Sequence, residues 1–223
     1  MAVFAVIFDV DGVLVDSYDA HFESWSRMAR EVGREMTLGQ FAATFGRTSR
    51  EIIEHHWGQG TLSDAEIREF DDRKEALYRD IVRDAFPAMD GAAELIAALH
   101  AAGVPVGVGS SGPPENVALA IERLGVESVV AARVTGRDVT RGKPDPQVFL
   151  LAAERLDVVP ARCAVIEDAP AGIAAANAAG MLSIALQSTG HTPEDAREAR
   201  HVVQSLRELS PDVIGAWLRA GRQ

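Results

Sequence analysis

Short apolar runs rich in valine and isoleucine recur along the chain and alternate with segments of helical periodicity. The runs lie at residues 3–8, 104–108, 129–134, 163–166 and 182–186. Short continuous apolar runs are typical of strands that are buried on both faces of a parallel sheet. Between two of them, Asp90 is a predicted helix cap and Gly103 a predicted helix stop. The alternation predicts an α/β fold with a doubly wound, Rossmann-like parallel sheet.

Residues 17–86 interrupt this alternation, because they carry helical periodicity and no convincing strand. Ser63 and Glu66 form a capping-box signature at the start of one helix. The apolar stripe of that helix comprises Ile67, Phe70, Leu77 and Ile81. We therefore predict an α-helical cap domain at residues 17–86, inserted into a core domain made of residues 1–16 and 87–223.

Charge and hydropathy restrict the classes of partner. The chain has 22 basic and 33 acidic residues, a formal net charge of −11, which repels the phosphate backbone of a nucleic acid. No run approaches the roughly 18 apolar residues that a membrane-spanning helix needs, and no secretion signal is recognisable. We expect a cytoplasmic protein, a compact monomer in the simplest case, that binds neither nucleic acid nor membrane.

Two aspartates follow the first predicted strand, in the sequence DVDG at residues 9–12. Residues two apart in an extended strand end project to the same side, so the carboxylates of Asp9 and Asp11 can face one cavity. Gly12 permits a sharp backbone turn beside them. An ordinary Asp- and Gly-rich turn is an equally valid interpretation of this segment alone.

A serine and a lysine follow at later boundaries between elements. Ser110, in GVGSSG, can hold a phosphate together with backbone N–H groups at the next helix N-terminus, and Ser111 could exchange roles with it. A simple N-cap serine explains the same segment. Lys143, in GKPDP, can offset negative charge on a transferring phosphoryl group, although most lysines are solvated surface residues.

An acidic pair, Glu167 and Asp168, directly follows the predicted strand at residues 163–166. Carboxylate oxygens suit a hard cation such as Mg²⁺. The pair could instead cap the helix that begins at Pro170, where negative charge is favourable. Metal binding is favoured, because close carboxylates such as Asp9 and Asp11 need a partner cation. The candidates lie at carboxyl ends of parallel strands, where open α/β sheets collect ligands.

Together, these four segments resemble the ordered motifs of the haloacid dehalogenase-like superfamily. The resemblance implies that Asp9 attacks phosphorus to form an aspartyl-phosphate, while Asp11 protonates the leaving oxygen and then activates the acceptor. It implies that Ser110 and Lys143 bind the phosphoryl oxygens. The presence of aspartates at both positions 9 and 11 resembles the phosphatase and mutase branches of the superfamily. The dehalogenases lack the second acid.

The same resemblance implies a Mg²⁺ cofactor. The ion would be held by Asp9, the backbone carbonyl of Asp11, and Asp168, and Glu167 would support it from behind. The substrate would be a small phosphorylated metabolite, such as a sugar phosphate.

The helical insertion resembles the cap of β-phosphoglucomutase and related sugar-phosphate phosphatases, which implies that His21, Arg50 and Lys74 contact the substrate. Lys74 lies on the apolar stripe of its helix, so it must either extend to solvent or face something anionic. His21 could simply pack beside Trp25, one turn away. Arg50 could form a surface ion pair with a neighbouring glutamate.

Two functions follow from the resemblance. In a phosphatase water accepts the phosphoryl group, whereas in a β-phosphoglucomutase-type reaction a sugar hydroxyl accepts it. Ala169 replaces a serine of the mutase, and the SSGPP segment lacks a lysine that the mutase places after its serine. Both differences favour the phosphatase. A non-catalytic binding protein is a third alternative, which the presence of every predicted catalytic side chain disfavours.

Overall fold

The computed structural model describes residues 4–60 and 62–221, and within them a parallel sheet forms the centre of the fold. Each neighbouring pair of strands is parallel, and the strand order is β3-β2-β1-β4-β5-β6. The strands are β1 (Ala5–Phe8), β2 (Val106–Gly109), β3 (Val130–Val134), β4 (Cys163–Glu167), β5 (Leu182–Leu186) and β6 (His201–Val203). The predicted α/β class with a Rossmann-like parallel sheet is confirmed.

Nine helices are described in the same residues. They are α1 (Tyr18–Glu31), α2 (Leu38–Thr44), α3 (Ser49–Trp57), α4 (Asp64–Asp84), α5 (Ala92–Ala101), α6 (Pro114–Leu124), α7 (Gln147–Arg155), α8 (Pro170–Ala178) and α9 (Pro211–Ala220). Short 3₁₀ turns precede β4 and α9. None of these helices is both long enough and apolar enough to cross a bilayer.

The chain divides into two compact units. One contains the segment up to Asp16 and the segment from Pro87 onwards, and it holds the sheet. The other is Ser17–Phe86, which contains α1 to α4 and follows directly on the first strand and its loop. The helical insertion is therefore present as a separate unit.

The sheet brings the candidate site residues to one edge. β1 lies between β2 and β4, and Phe8 is aligned with Val108 on one side and with Ile166 on the other. The chain passes from β1 to β2 and β3 on one side and then crosses over to β4, β5 and β6 on the other, so the carboxyl end of β1 is a switch point where a crevice forms. Residues that follow these three strands are consequently neighbours in space.

A buried apolar layer fixes β1 in this position. Phe149 of α7 packs against the strands, and a Cβ added at Gly109 of β2 would lie 3.1 Å from its ring. The glycine therefore leaves room for the aromatic ring directly below the site. The sheet and α7 are therefore closely packed at this position, as is usual in protein interiors.

The helical unit has its own core and its own helix caps. Thr37, Thr48 and Ser63 each form a complete capping box with the glutamate or glutamine three residues later, which confirms the predicted start of α4 at Ser63. The core of this unit includes Trp25, Met28, Phe41, Ile53 and Leu77.

Several predicted boundaries differ from the structure. β2 begins two residues later than predicted, and β6 was not predicted because only Val203 of its three residues is buried. Val3, included in the first predicted strand, lies outside the described residues. Asp90 does not cap α5: Gly91 is the N-cap, and the Asp90 carboxylate accepts two hydrogen bonds from Arg207.

We expect Phe149→Ala to lower the free energy of unfolding by about 3–5 kcal/mol, because it removes a fully buried ring and leaves a cavity below β1 and β2. Leu150→Ala is the matched control, since its side chain is 40% exposed, and should cost about 1 kcal/mol or less. Urea unfolding followed by circular dichroism measures both. Equal losses in the two variants would contradict this account of the core.

Candidate active site

Backbone hydrogen bonds join the end of β1 to β4 and the end of β2 to β3. The N–H of Asp9 donates to the carbonyl of Ile166 at 3.0 Å, and the N–H of Ser110 donates to Val134 at the same distance. Glu167 is the last residue of β4 and Asp168 follows it. The side chains of these residues are therefore presented from a rigid sheet edge.

Lys143 reaches this edge from the segment before α7. Its ammonium donates to Asp9 Oδ1 and to Glu167 Oε1, both at 2.7 Å, and its side chain is only 9% exposed. Burial acts to lower the pKa of Lys143, but the charges of Asp9 and Glu167 outweigh burial and hold that pKa above its ordinary value. Lys143 is therefore a buried cation between two carboxylates, not a solvated surface lysine.

Glu167 is held by donors on both of its oxygens. Besides the bond from Lys143 to Oε1, its Oε2 accepts the backbone N–H groups of Asp168 at 2.6 Å and Ala169 at 2.7 Å. A Cβ added at Gly172 in α8 would lie 1.7 Å from Oε1. Gly172 is therefore required because the glutamate packs against the helix backbone. Ala169 is the N-cap of α8, so the alternative in which the acidic pair caps this helix is wrong; Glu167 binds two backbone amides that precede the helix.

Asp168 is buried beside Gly12 and the loop after β5. Its Oδ2 accepts a hydrogen bond from the Ser188 hydroxyl at 2.7 Å. Gly12 has φ +74°, and a Cβ there would lie 1.7 Å from the same oxygen. Burial raises the pKa of Asp168, and the charges of Glu167 and Asp9 raise that pKa further. A side chain at position 12 would displace this carboxylate.

Asp9, Glu167 and Asp168 form a buried acidic triad. Each offers one oxygen, and the three oxygens lie within 4.8 Å of one another. Burial raises the pKa of Asp9 to about 7; Lys143 opposes this rise, while Glu167 and Asp11 add to it. Three ionised carboxylates beside one ammonium leave two negative charges to be balanced. An all-oxygen donor set with this excess of charge fits a hard divalent cation.

Asp11 and Ser110 lie beside the glycine-containing loop after β2. Ser110 Oγ accepts the N–H of Gly112 at 3.0 Å, and a Cβ added at Gly112 would lie 3.7 Å from Asp11 Oδ2. Pro113, not Ser110, is the N-cap of α6, so the capping alternative for this serine is wrong. Ser110 is buried, whereas Ser111 is exposed. The loop therefore presents a buried hydroxyl next to a carboxylate.

The predicted substrate residues His21 and Lys74 meet within the helical unit. Lys74 is buried, and its ammonium lies 2.6 Å from Glu75 Oε1 and 2.9 Å from His21 Nδ1. The His21 ring stacks on Tyr78, with centroids 4.2 Å apart and an interplanar angle of 11°. Lys74 therefore does face an anion, and that anion is a residue of its own helix that sequence reasoning did not identify.

Arg50 lies apart from this pair, at the surface of the helical unit. Its side chain is 46% exposed and contacts Asp64 at 2.7 Å and Glu54 at 3.5 Å. The sequence suggested either Glu51 or Glu54 as the partner; Glu54 is the one observed, and Asp64 is an additional partner. Exposed ion pairs of this kind contribute little to stability. The role of Arg50 in substrate binding stays a prediction.

The loop after β5 supplies two residues that sequence reasoning missed. Ser188 donates to Asp168, and His191 Nε2 lies 3.6 Å from the same carboxylate oxygen. Burial lowers the pKa of His191, although Asp195 and Glu167 oppose this. The available signal was the polar sequence QSTGH directly after a predicted parallel strand, the same position that identified the other candidates.

Known proteins are similar to this chain both in sequence and in fold. The chain is 33% identical over 209 residues to validoxylamine A 7′-phosphate phosphatase of Streptomyces hygroscopicus subsp. limoneus, covering 94% of this chain and 97% of that protein. It is also 33% identical over 186 residues to β-phosphoglucomutase of Bacillus subtilis, covering 81% of each. A solved HAD hydrolase, family IA, variant 3, from Entamoeba histolytica superposes with a TM-score of 0.87 at 26% identity, covering 97% of this chain and 99% of that one.

The match to the family covers most of the chain. The sequence model of haloacid dehalogenase-like hydrolases covers residues 4–180, which include the loops after β1, β2 and β4 together with Lys143. With the parallel sheet and the acidic triad, this match shows that the chain belongs to the haloacid dehalogenase-like hydrolase family.

Proposed function

We propose that this protein is a Mg²⁺-dependent phosphatase that transfers the phosphoryl group of a small phosphorylated metabolite to water through an aspartyl-phosphate at Asp9. The observation that carries the proposal is the position of the Asp9 carboxylate, bonded to Lys143 at 2.7 Å and within 4.8 Å of the carboxylates of Glu167 and Asp168. A buried nucleophile between the ammonium of Lys143 and a carboxylate that can bind a metal, Asp168, suits attack on an anionic phosphorus.

Asp9 supplies the nucleophile. Lys143 binds one oxygen of Asp9 and favours the ionised carboxylate, the form that can attack. In the first step an Asp9 oxygen forms a bond to phosphorus as the ester P–O bond breaks. The positive charge of Lys143 offsets the negative charge that accumulates as the two anions approach.

Asp11 transfers a proton in each of the two steps. It lies next to the loop that carries Ser110, as the 3.7 Å distance from its Oδ2 to a Cβ at Gly112 indicates. Asp11 donates a proton to the departing alkoxide in the first step. It then takes a proton from the water that attacks phosphorus, the Asp9–phosphate bond breaks, and inorganic phosphate and the starting carboxylate result.

The loop after β2 binds the transferring group. Because Ser110 Oγ already accepts the N–H of Gly112, its own hydrogen is available for donation to a phosphoryl oxygen. The residues that follow open α6, and the N-terminus of a helix favours a bound anion. Ser111, which is exposed at the same turn, is proposed as an additional substrate contact.

Asp9, Asp168 and the backbone carbonyl of Asp11 would hold Mg²⁺, while Glu167 keeps its bonds to Lys143 and to backbone amides. When bound, the ion supplies positive charge that draws the phosphoryl oxygens and the carboxylates together. The all-oxygen donor set supports this assignment.

The substrate is proposed to be a sugar phosphate. Of the two relatives, one is named as a phosphatase of validoxylamine A 7′-phosphate and the other as a phosphoglucomutase. We propose that the helical unit acts as a cap and that His21, Arg50 and Lys74 contact the part of the substrate that does not react. We also propose that the protein is a monomer located in the cytoplasm.

A mutase is the second candidate, favoured by the 33% identity to β-phosphoglucomutase of Bacillus subtilis. Its reaction would differ only in the acceptor, a sugar hydroxyl in place of water. The alanine at position 169 and the absence of a lysine shortly after the serine in the SSGPP segment favour the phosphatase.

One assay separates the two candidates. The protein is incubated with β-glucose 1-phosphate, Mg²⁺ and a trace of glucose 1,6-bisphosphate. We expect release of inorganic phosphate, because water accepts the phosphoryl group from Asp9. Accumulation of glucose 6-phosphate in place of inorganic phosphate would identify a mutase.

We expect Asp9→Asn to lower kcat for p-nitrophenyl phosphate at least about 1,000-fold, because the amide cannot form the phosphoenzyme. Asp212→Asn is the matched control, since Asp212 lies exposed in the first turn of α9, and it should retain wild-type turnover. Initial rates with Mg²⁺ and circular dichroism spectra are compared. Undiminished turnover by Asp9→Asn would refute the assigned nucleophile.

Stability should depend on the charge of the triad. Because Asp9 has its pKa raised from 3.8 to about 7 and Asp168 has its pKa raised as well, both carboxyls bind protons more tightly in the folded protein. Their contribution to stability is therefore present below about pH 4 and is lost as pH rises toward 7. In EDTA, Asp168→Asn should become more stable relative to wild type over this interval, because one buried charge is absent.

Mg²⁺ should reverse the order of stability of wild type and Asp168→Asn. At about 100 times its Kd the ion stabilises wild type by about 2.7 kcal/mol, whereas Asp168→Asn lacks a ligand and should respond little. Thermal midpoints with EDTA and with Mg²⁺ measure both effects, and Asp212→Asn serves as the control. An equal Mg²⁺ response in wild type and Asp168→Asn would exclude Asp168 as a ligand.

A further inference from the structure

The loop after β5 contributes a side chain to the acidic triad. Ser188 lies two residues beyond the end of β5, and β5 is paired with β4 in a register that places Ala185 beside Glu167. Its hydroxyl donates to Asp168 Oδ2 at 2.7 Å. We propose that Ser188 is a positioning residue that orients the Asp168 carboxylate for the cation, an inference that rests on the Mg²⁺ site of the proposed function.

The surroundings of Oδ2 leave this oxygen little freedom. On one side lies the Gly12 backbone, so close that a Cβ there would be 1.7 Å away. On another side is the Ser188 hydroxyl. A carboxylate offers two oxygens with about four lone-pair positions, so a hydrogen bond on Oδ2 leaves Oδ1 for a cation. The two contacts together fix the rotation of the carboxylate about its own axis.

A directional contact is needed at this position because the neighbouring side chains carry the same charge. Asp9, Glu167 and Asp168 bring their oxygens within 4.8 Å of one another. Mutual repulsion turns Asp168 away from the other two unless a donor holds it. Ser188 provides that donor from outside the triad, without adding a charge that would compete with the cation.

The loop itself is held closed by its own hydrogen bonds. The Gln187 backbone N–H donates to Val203 of β6 at 2.9 Å, and its side chain donates to the carbonyl of His191 at 3.1 Å. The N–H of His191 donates to the Ser188 carbonyl at 3.4 Å. Ser188 is thus fixed to the sheet edge through β6. His191 Nε2 lies 3.6 Å from Asp168 Oδ2, beyond hydrogen-bonding distance.

Side chains that orient metal ligands typically change metal affinity about 10- to 100-fold when they are removed. We expect Ser188→Ala to raise the Kd for Mg²⁺ by about 10-fold or more on this basis, measured by calorimetric titration of the full chain without substrate. Ser188→Thr keeps the hydroxyl and should remain within about 3-fold of wild type, well inside that range. Thr189→Ala, an exposed hydroxyl in the same loop, is the matched control and should not change the Kd.

Kinetics provide a second readout. The Mg²⁺ concentration for half-maximal activity of Ser188→Ala should rise by the same factor as its Kd, while kcat at saturating Mg²⁺ stays near the wild-type value. A merely structural serine would instead lower the thermal midpoint in EDTA without changing the affinity for Mg²⁺. Ser188→Thr guards against poor folding of the alanine variant, because it tests the hydroxyl in a side chain of similar size.

Three results would overturn the proposal, and the third is distinguishable from the first two. If wild type binds Mg²⁺ and Ser188→Ala binds it equally well, or if Ser188→Thr loses as much affinity as Ser188→Ala, Ser188 does not position the ligand. If wild type shows no saturable Mg²⁺ binding, the metal site of the proposed function fails and this proposal fails with it.

Discussion

Electrostatic repulsion within the buried acidic triad is the constraint on which the rest of the site depends. Asp9, Glu167 and Asp168 lie within 4.8 Å of one another and are largely removed from water. Such a cluster is unfavourable by itself, since burial and like charges both oppose ionisation. The sheet holds the three residues in place because two adjacent strands, β1 and β4, end side by side. Lys143 offsets part of the charge, and a divalent cation suits the remainder.

The backbone around the triad is adapted to these carboxylates. Gly12 and Gly172 occupy positions where a Cβ would lie 1.7 Å from a carboxylate oxygen of Asp168 and of Glu167, respectively. Gly12 also has a positive φ, whereas Gly172 does not. Gly12 is therefore required both by its backbone conformation and by the nearby carboxylate, and Gly172 by the nearby carboxylate alone. Glu167 shares its charge among Lys143 and two backbone amides. Its carboxylate thereby links the lysine to the start of α8 and stiffens the site.

The candidate site residues are divided between the two compact units. The sheet unit holds the acidic triad, Lys143 and Ser110, all within the residues that the family model matches. The helical unit carries the predicted substrate contacts, and there Lys74 already has Glu75 and His21 as partners. A substrate that contacts Lys74 must compete with or join this ion pair. In the proposed function, this small polar network is therefore part of what selects the substrate.

The sequence by itself determined the α/β class, the position of the helical insertion and the order of the acidic, serine and lysine segments, because periodicity and strand ends are local features. Tertiary structure decided which alternative held at each segment: Lys143 is buried between carboxylates, Ser110 is not a helix cap, and Asp90 binds Arg207. It also revealed Ser188 as a partner of Asp168 and Glu75 as a partner of Lys74. These outcomes depend on contacts between residues far apart in the chain or on the direction of a side chain, and neither is encoded in a local pattern of hydrophobic and polar positions.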